Sequence, residues 1–264
     1  MPNNNLYLIG TVHLDPKGPK RLEGLLKQIS PEIVALEFHK ERENVLGKKF
    51  IEKEKEIDQL LSGVGLTLTP EQRKTMLDLE REFSYVNGFE MRTSKAYKEA
   101  NPKSRLEYID IAIFGDEYEE FVKHNFSLLN ESFVKTLQEK GSKDLFLEML
   151  NRGKEDYLQD FSDDLEIVYK EAKLMWSLAS LAKLLKPHLE LKKEQIPIKT
   201  SKIIERIYSH ERDEAMANRI RELYDGGAKK VVSVTGAAHV LWLKFRLLDL
   251  EPTTMALSDY KPTI

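Results

Sequence analysis

The chain has 264 residues, 41% of them apolar and 32% charged, which is enough to bury a sizeable core beneath long solvated helices. Lysine and arginine number 41 against 44 acidic residues, a net charge of -3, so the basic excess of a nucleic-acid binder is missing. There is no cysteine, which excludes disulfides, thiolate ligands and cysteine nucleophiles and leaves nitrogen and oxygen as the ligands for any metal.

Taken in order, Leu6-Tyr7-Leu8-Ile9-Gly10-Thr11-Val12-His13 reads as a buried strand near 6–13 that runs into a glycine. Gly18-Pro19 opens a helix, because proline in the first helical position gives up a donor that has no intrahelical partner. Leu22, Leu25, Leu26 and Ile29 then fall at i, i+3, i+4 and i+7 on one face. Ser30-Pro31 stops that helix. A second strand near 32–38 contains Ile33-Val34-Ala35-Leu36 and ends in Glu37. Strand, helix, strand over this length is a βαβ unit, so the two strands are expected to be parallel.

Residues 40–61 are charge-rich with spaced apolar residues and read as a helix. Thr69-Pro70-Glu71 starts another, with threonine as the cap. Phe89 to Ala100 follows as a helix closed before Asn101-Pro102. A third strand near 105–113 carries Leu106, Tyr108, Ile109, Ile111 and Ile113, with Asp110 among them. From about 115 to 200 the pattern is helical and charged, clearest at 165–185, and we read it as a helical insertion or cap. Residues 201–225 form a helix that Gly226-Gly227 ends. A fourth strand near 229–235 leads into Gly236-Ala237-Ala238-His239; a helix from His239 to Leu250 and a last strand at Thr254 to Leu257 complete the chain. The expected fold is α/β, a mostly parallel central sheet with flanking helices and the insertion in a single domain. Met1-Pro2-Asn3-Asn4-Asn5 precedes no signal-like apolar stretch, and no run of about 18 apolar residues occurs. The expectation is a cytoplasmic protein with no membrane span.

Chemistry concentrates in an echo. Gly10-Thr11-Val12-His13 and Gly236-Ala237-Ala238-His239 are both G-x-x-H stretches following an apolar strand. Ligands of open α/β sheets bind at the carboxyl ends of the strands. His13, Glu37 and His239 all fall at that edge, and two histidines with one carboxylate form a set that holds a catalytic metal with one position left for water. Histidines at strand ends also serve as plain hydrogen-bonded structural residues. Asp110, on the same edge, suits a general base, a metal ligand, a partner for a histidine nitrogen or a structural salt bridge. Glu90 sits on a helix, where most glutamates are solvated. Arg212, within Ser209-His210-Glu211-Arg212-Asp213, could hold a carboxylate or a developing oxyanion, or simply belong to a charged face. His39, His124, His188 and His210 lie in charged contexts and read as surface residues. His39 stands apart because it shares a strand face with Glu37 if the strand continues. There is no P-loop, no Gly-rich dinucleotide fingerprint, no H-E-x-x-H and no nucleophile elbow.

The two G-x-x-H stretches, Glu37 between them, the helix with Glu211-Arg212-Asp213, and the segments Gly88-Phe89-Glu90-Met91 and Tyr108-Ile109-Asp110 together resemble the TraB/PrgY family. That group is related to the TIKI metalloproteases and to a wider set with erythromycin-esterase-like and GumN-like proteins. The resemblance implies an α/β core with helical insertions and an active site built from the paired histidines and the strand glutamate. In the TIKI branch it implies metal-dependent peptide hydrolysis with manganese or cobalt. In the TraB/PrgY branch it implies reduced activity of a secreted peptide pheromone.

The expectation is therefore a hydrolase of an amide bond in a peptide or small molecule. A divalent manganese, cobalt or zinc ion is held by His13, Glu37 and His239, Arg212 stabilises negative charge, and Asp110 or Glu90 handles protons. Two alternatives stand beside it: a metal-free hydrolase or transferase in which one histidine is a general base partnered by Glu37, and a protein that binds a peptide or small ligand without turnover. Identical chains could also assemble.

Overall fold

The computed structural model describes residues 5–39, 59, 61–111, 131–185 and 210–261. Among the described residues five strands form one sheet: β1 (Leu6–Thr11), β2 (Ile33–Leu36), β3 (Arg105–Tyr108), β4 (Val231–Gly236) and β5 (Thr253–Ala256). Every pairing is parallel, and the order is β3-β2-β4-β1-β5. The helices are α1 (Gly18–Ile29), α2 (Pro70–Val86), α3 (Phe89–Ala100), α4 (Ser142–Arg152), α5 (Lys154–Leu185), α6 (His210–Asp225) and α7 (Ala237–Arg246). The fold is α/β with a parallel sheet, as the strand–helix alternation predicts.

All six residues of β4 are buried, as expected of a central strand in a parallel sheet covered on both faces. It lies between β1 and β2, so the first βαβ unit spans a strand that arrives almost two hundred residues later. Side chains alternate between sheet faces. Thr11 reaches Glu90 of α3, whereas the position next to it, Gly10, faces Trp176 of α5. Helices α3 and α5 therefore cover opposite faces. The main core joins Leu6, Leu8, Ile9, Leu22, Leu25, Val34, Val232, Val234, Met216, Ile220, Val240 and Leu243. A second apolar cluster gathers Leu61, Val64, Leu66 and Leu137 with Met76 and Phe146.

Local signals in the sequence are realised closely. Pro19 lies in the first turn of α1, whose end is closed by Ser30 in the left-handed conformation. Thr69 and Gln72 form a reciprocal capping box at the start of α2. Strand ends differ by a few residues. β1 stops at Thr11 and β3 at Tyr108, so Asp110 lies beyond its strand rather than within it. Helix α7 starts at Ala237, two residues before the expected start, and gives way to a short 3-10 turn at Leu248–Leu250.

Of the helix expected over 40–61, all but residues 59 and 61 lies outside the described residues, as do the first and last parts of the block 115–200, the start of the helix 201–225, His124 and His188. Among the described residues no helix is long and apolar enough to cross a membrane.

Gly10 is required for space. A Cβ there would stand 2.6 Å from Trp176 Cη2 and 2.7 Å from Cζ2. Gly10→Ala is expected to lower the unfolding free energy by about 1–3 kcal/mol through overpacking, read as a lower urea midpoint at unchanged m-value.

Candidate functional site

Because all strands run the same way, their carboxyl ends share one edge, and ligand sites of such sheets form there. The chain leaves β1 into His13, β2 into Glu37, β3 towards Asp110, and β4 through Gly236 into α7. After β2 the chain turns at once: the Phe38 amide donates to Leu36 O at 2.7 Å, an i to i+2 turn that tucks Glu37 inward. The Glu37 amide continues the ladder to Val234 O at 2.9 Å, next to the end of β4. Gly236 caps α7, and its N–H donates to Glu37 Oε2 at 2.6 Å. The glutamate carboxylate thus meets the positive end of a helix.

The three residues expected to meet do so. A single point, the place of an absent Cβ on Gly236, lies 3.1 Å from His13 Nε2, 3.4 Å from Glu37 Oε2 and 3.5 Å from His239 Cδ2. Glu37 Oε1 stands 3.3 Å from His239 Nε2.

Each histidine is held from behind by a carboxylate. Glu90 Oε1 takes His13 Nδ1 at 2.7 Å and the Thr11 hydroxyl at 2.8 Å. Asp213 Oδ1 takes His239 Nδ1 at 2.6 Å. A carboxylate accepts, so each Nδ1 is the donor. This fixes both rings and turns both Nε2 atoms to the centre, the arrangement by which outer carboxylates orient metal-binding or general-base histidines.

Arg212 closes the inner side. It donates to both oxygens of Asp110, from Nε and from one terminal nitrogen at 2.7 Å each, and that same nitrogen also donates to Glu37 Oε1. Its other terminal nitrogen lies 3.4 Å from His239 Nε2. Of the roles open to Asp110, the geometry selects the salt bridge: its carboxylate sits on Arg212 and caps the Ile111 amide at 2.9 Å, away from both histidines' hydrogen bonds. Among the described residues, no group of three or more His, Asp or Glu side chains is placed so that it could hold a metal ion.

The electrostatics follow from burial and pairing. Burial works against a charge on Glu37, but the hydrogen bond from His239 and the charges of Arg212, His239 and His13 outweigh it, and its carboxyl is held well below the usual range. Burial likewise opposes the charged form of His239, yet the hydrogen bonds to Asp213 and Glu37 lift it to about 9. Arg212 stays charged throughout, since Asp110 and Glu37 more than offset its burial.

Two residues depart from their sequence reading. Glu90, on a helix where solvation was the default, is buried and is the partner of His13. His39 is buried, not a surface residue, and stacks beside Phe38. Asp213 and Thr11 carry contacts that the sequence reading did not assign. The signal for both carboxylates lay in periodicity. In α6 the buried positions are Asp213, Met216, Ala217, Ile220 and Leu223, so Asp213 occupies a core slot of the helical repeat. Glu90, Ser94 and Tyr97 do the same in α3. An acid on the apolar stripe needs a buried partner.

No curated protein and no solved structure matches the chain. A model of the TraB/PrgY/gumN family does match, over residues 2–242, a span that takes in both G-x-x-H stretches and every site residue named above, and the chain belongs to that family.

Proposed function

We propose that this protein is a metal-dependent hydrolase acting on an amide bond of a peptide or small molecule, in the manner of the TIKI metalloproteases that the family resembles. The observation that supports this reading is the pair of histidines pinned at Nδ1 by Glu90 and Asp213, with both Nε2 atoms turned to the space beside Glu37. The donor set fits a divalent ion such as manganese, cobalt or zinc: nitrogen and oxygen ligands only, in a space kept open by a missing Cβ. His13, His239 and Glu37 would hold it, and when bound it would acidify a water and polarise a carbonyl. Glu90 and Asp213 keep the two rings in place. Arg212 offers the nitrogen not engaged by Asp110 to negative charge developing on the substrate. His13 is the exposed member, with just over half of its side chain open to solvent, so substrate approaches from its side.

One observation favours a second reading. Glu37 Oε1 and His239 Nε2 lie 3.3 Å apart, and the imidazole is raised to about 9, which is the pairing of a metal-free acid–base couple. A metal ion and the Nε2 proton of His239 exclude each other, so the readings separate experimentally. Purified protein is expected to retain one manganese, cobalt or zinc per chain by elemental analysis, and His13→Ala with His239→Ala to abolish it. Unchanged metal content in the double variant would sink the metal assignment. Amide hydrolysis that survives exhaustive chelation, yet is lost in His13→Ala, would establish the second reading.

A further inference from the structure

Helix α5 lies in the part of the chain read from sequence only as a helical block, and it touches both G-x-x-H stretches. Glu166, Tyr169, Lys173 and Trp176 follow at spacings of three, four and three, which places them on one stripe of the helix. Two of them end on motif backbone.

The first contact is a staple across the turn that presents His13. The Asp15 amide donates to Val12 O at 2.9 Å, closing a four-residue turn with His13 and Leu14 at its centre. The hydroxyl of Tyr169 bonds both ends of that turn. It accepts the Val12 N–H at 3.0 Å and donates to Asp15 Oδ2 at 3.2 Å. A neutral hydroxyl can do both at once. Burial and the neighbouring Asp15 push the phenol far above its ordinary range and keep it neutral. Tyr169 is 0% exposed and Asp15 1%, so water does not compete. Asp15 also takes the Lys17 amide at 2.9 Å and Arg21 at 3.0 Å, and Arg21 reaches back to Glu166 of α5 at 2.6 Å.

The second contact lies two helical turns further on. Trp176 Nε1 donates to Ala237 O at 3.2 Å, within Gly236-Ala237-Ala238-His239, and its ring fills the space over Gly10 of the other stretch. Its own carbonyl accepts Lys244 Nζ of α7 at 3.2 Å. A helix that only covered a sheet would need apolar contacts alone. This one directs two large buried aromatic side chains at the main chain that carries the two histidines.

We propose that α5 is a strut that sets the positions of both histidines, with Tyr169 as the positioning residue for His13 and Trp176 for His239. The proposal rests on the reading above in taking these histidines as the working groups.

The test is nitrogen-15 NMR of the histidine rings in metal-free protein, for wild type, Tyr169→Phe, Trp176→Phe and the control Leu165→Ala. Leu165 is a buried residue of the same helix. Tyr169→Phe keeps the ring and is expected to shift or broaden the His13 ring signals and to speed exchange of its Nδ1 proton at least tenfold, with His239 unmoved. Trp176→Phe is expected to shift or broaden the His239 ring signals most, with a smaller change at His13 because the lost ring atoms pack over Gly10. The control should lower thermal stability and move neither set. Cobalt affinity should fall about 10- to 100-fold in the first two variants and not in the control. If Tyr169→Phe and Trp176→Phe lose stability but leave both ring spectra as in wild type, the helix is merely structural and the proposal fails. Should Tyr169→Phe not fold, Trp176→Phe decides the matter at His239. A wild type that takes up no metal overturns the metal-dependent reading, while the ring spectra of the metal-free variants still decide whether α5 positions the histidines.

Discussion

Arg212→Ala is expected to lower the unfolding free energy by about 3–5 kcal/mol at pH 7, the cost of removing one partner from a buried ionic cluster. Its guanidinium is the cation shared by two buried carboxylates, Asp110 at 2% side-chain exposure and Glu37 at 5%. Without it both remain; among the described residues the Ile111 amide then serves Asp110, and the Gly236 amide, His239 and the charge of His13 serve Glu37. The desolvation cost of the wild-type cluster is therefore visible only when one member is removed. The loss should shrink as the pH is lowered. Glu37 would lose one of the charges that hold its carboxyl down, and burial would push it up. An acid whose folded pKa is raised binds its proton more readily folded than unfolded, so its penalty is largest at high pH and fades as pH falls. Adding Asp110→Asn removes one stranded charge. Urea titrations of the two single variants and the double should give a coupling of about 0.5–3 kcal/mol. Strict additivity would mean that Asp110 and Arg212 do not act as a pair.

The sheet edge was legible from sequence because it depends on local features. Apolar runs ending in glycine or glutamate mark strands by composition alone, and parallel strands then share one edge, which puts His13, Glu37 and His239 on that edge; that they meet there depends on β4 lying between β1 and β2. Strand order was not legible. β4 inserts between β1 and β2, and nothing local in Val231-Val232-Ser233-Val234-Thr235 says where a strand will pair. The carboxylates behind the histidines are a middle case. Glu90 and Asp213 sit in core slots of their helices, but naming their partners requires knowing which face of the sheet each helix covers, and that is set by tertiary packing. The contacts of α5 were the least accessible. Tyr169 and Trp176 look like ordinary core aromatics in a helical repeat, and their polar atoms find backbone more than sixty residues away in sequence.

On the metal-dependent reading proposed above, Gly236→Ala is expected to fold like wild type and to lose metal uptake and hydrolysis by about 100-fold or more, the scale of a 1 Å misplacement at a reacting centre. The backbone does not require glycine. Gly236 has φ -56 and ψ 141, which alanine adopts without strain. What the position requires is space. The added methyl would lie 3.1 Å from His13 Nε2, 3.4 Å from Glu37 Oε2 and 3.5 Å from His239 Cδ2. An ion bound at roughly 2 Å from nitrogen and oxygen ligands would have to use that same space. The closest of these neighbours is the tip of a side chain more than half exposed, which at 3.1 Å need give only slightly, so the stability cost should fall below the roughly 1–3 kcal/mol of true core overpacking. Thermal melts and cobalt titration of the same preparation separate the two effects. The variant also divides the two functional readings. A metal-free couple depends on the Glu37 Oε1 contact with His239 Nε2 and on Arg212, and the methyl adjoins the other carboxylate oxygen. Chelator-resistant hydrolysis retained within a few-fold in Gly236→Ala would identify that couple as the catalyst, while loss of activity together with cobalt uptake would place the chemistry in the space that Gly236 leaves open.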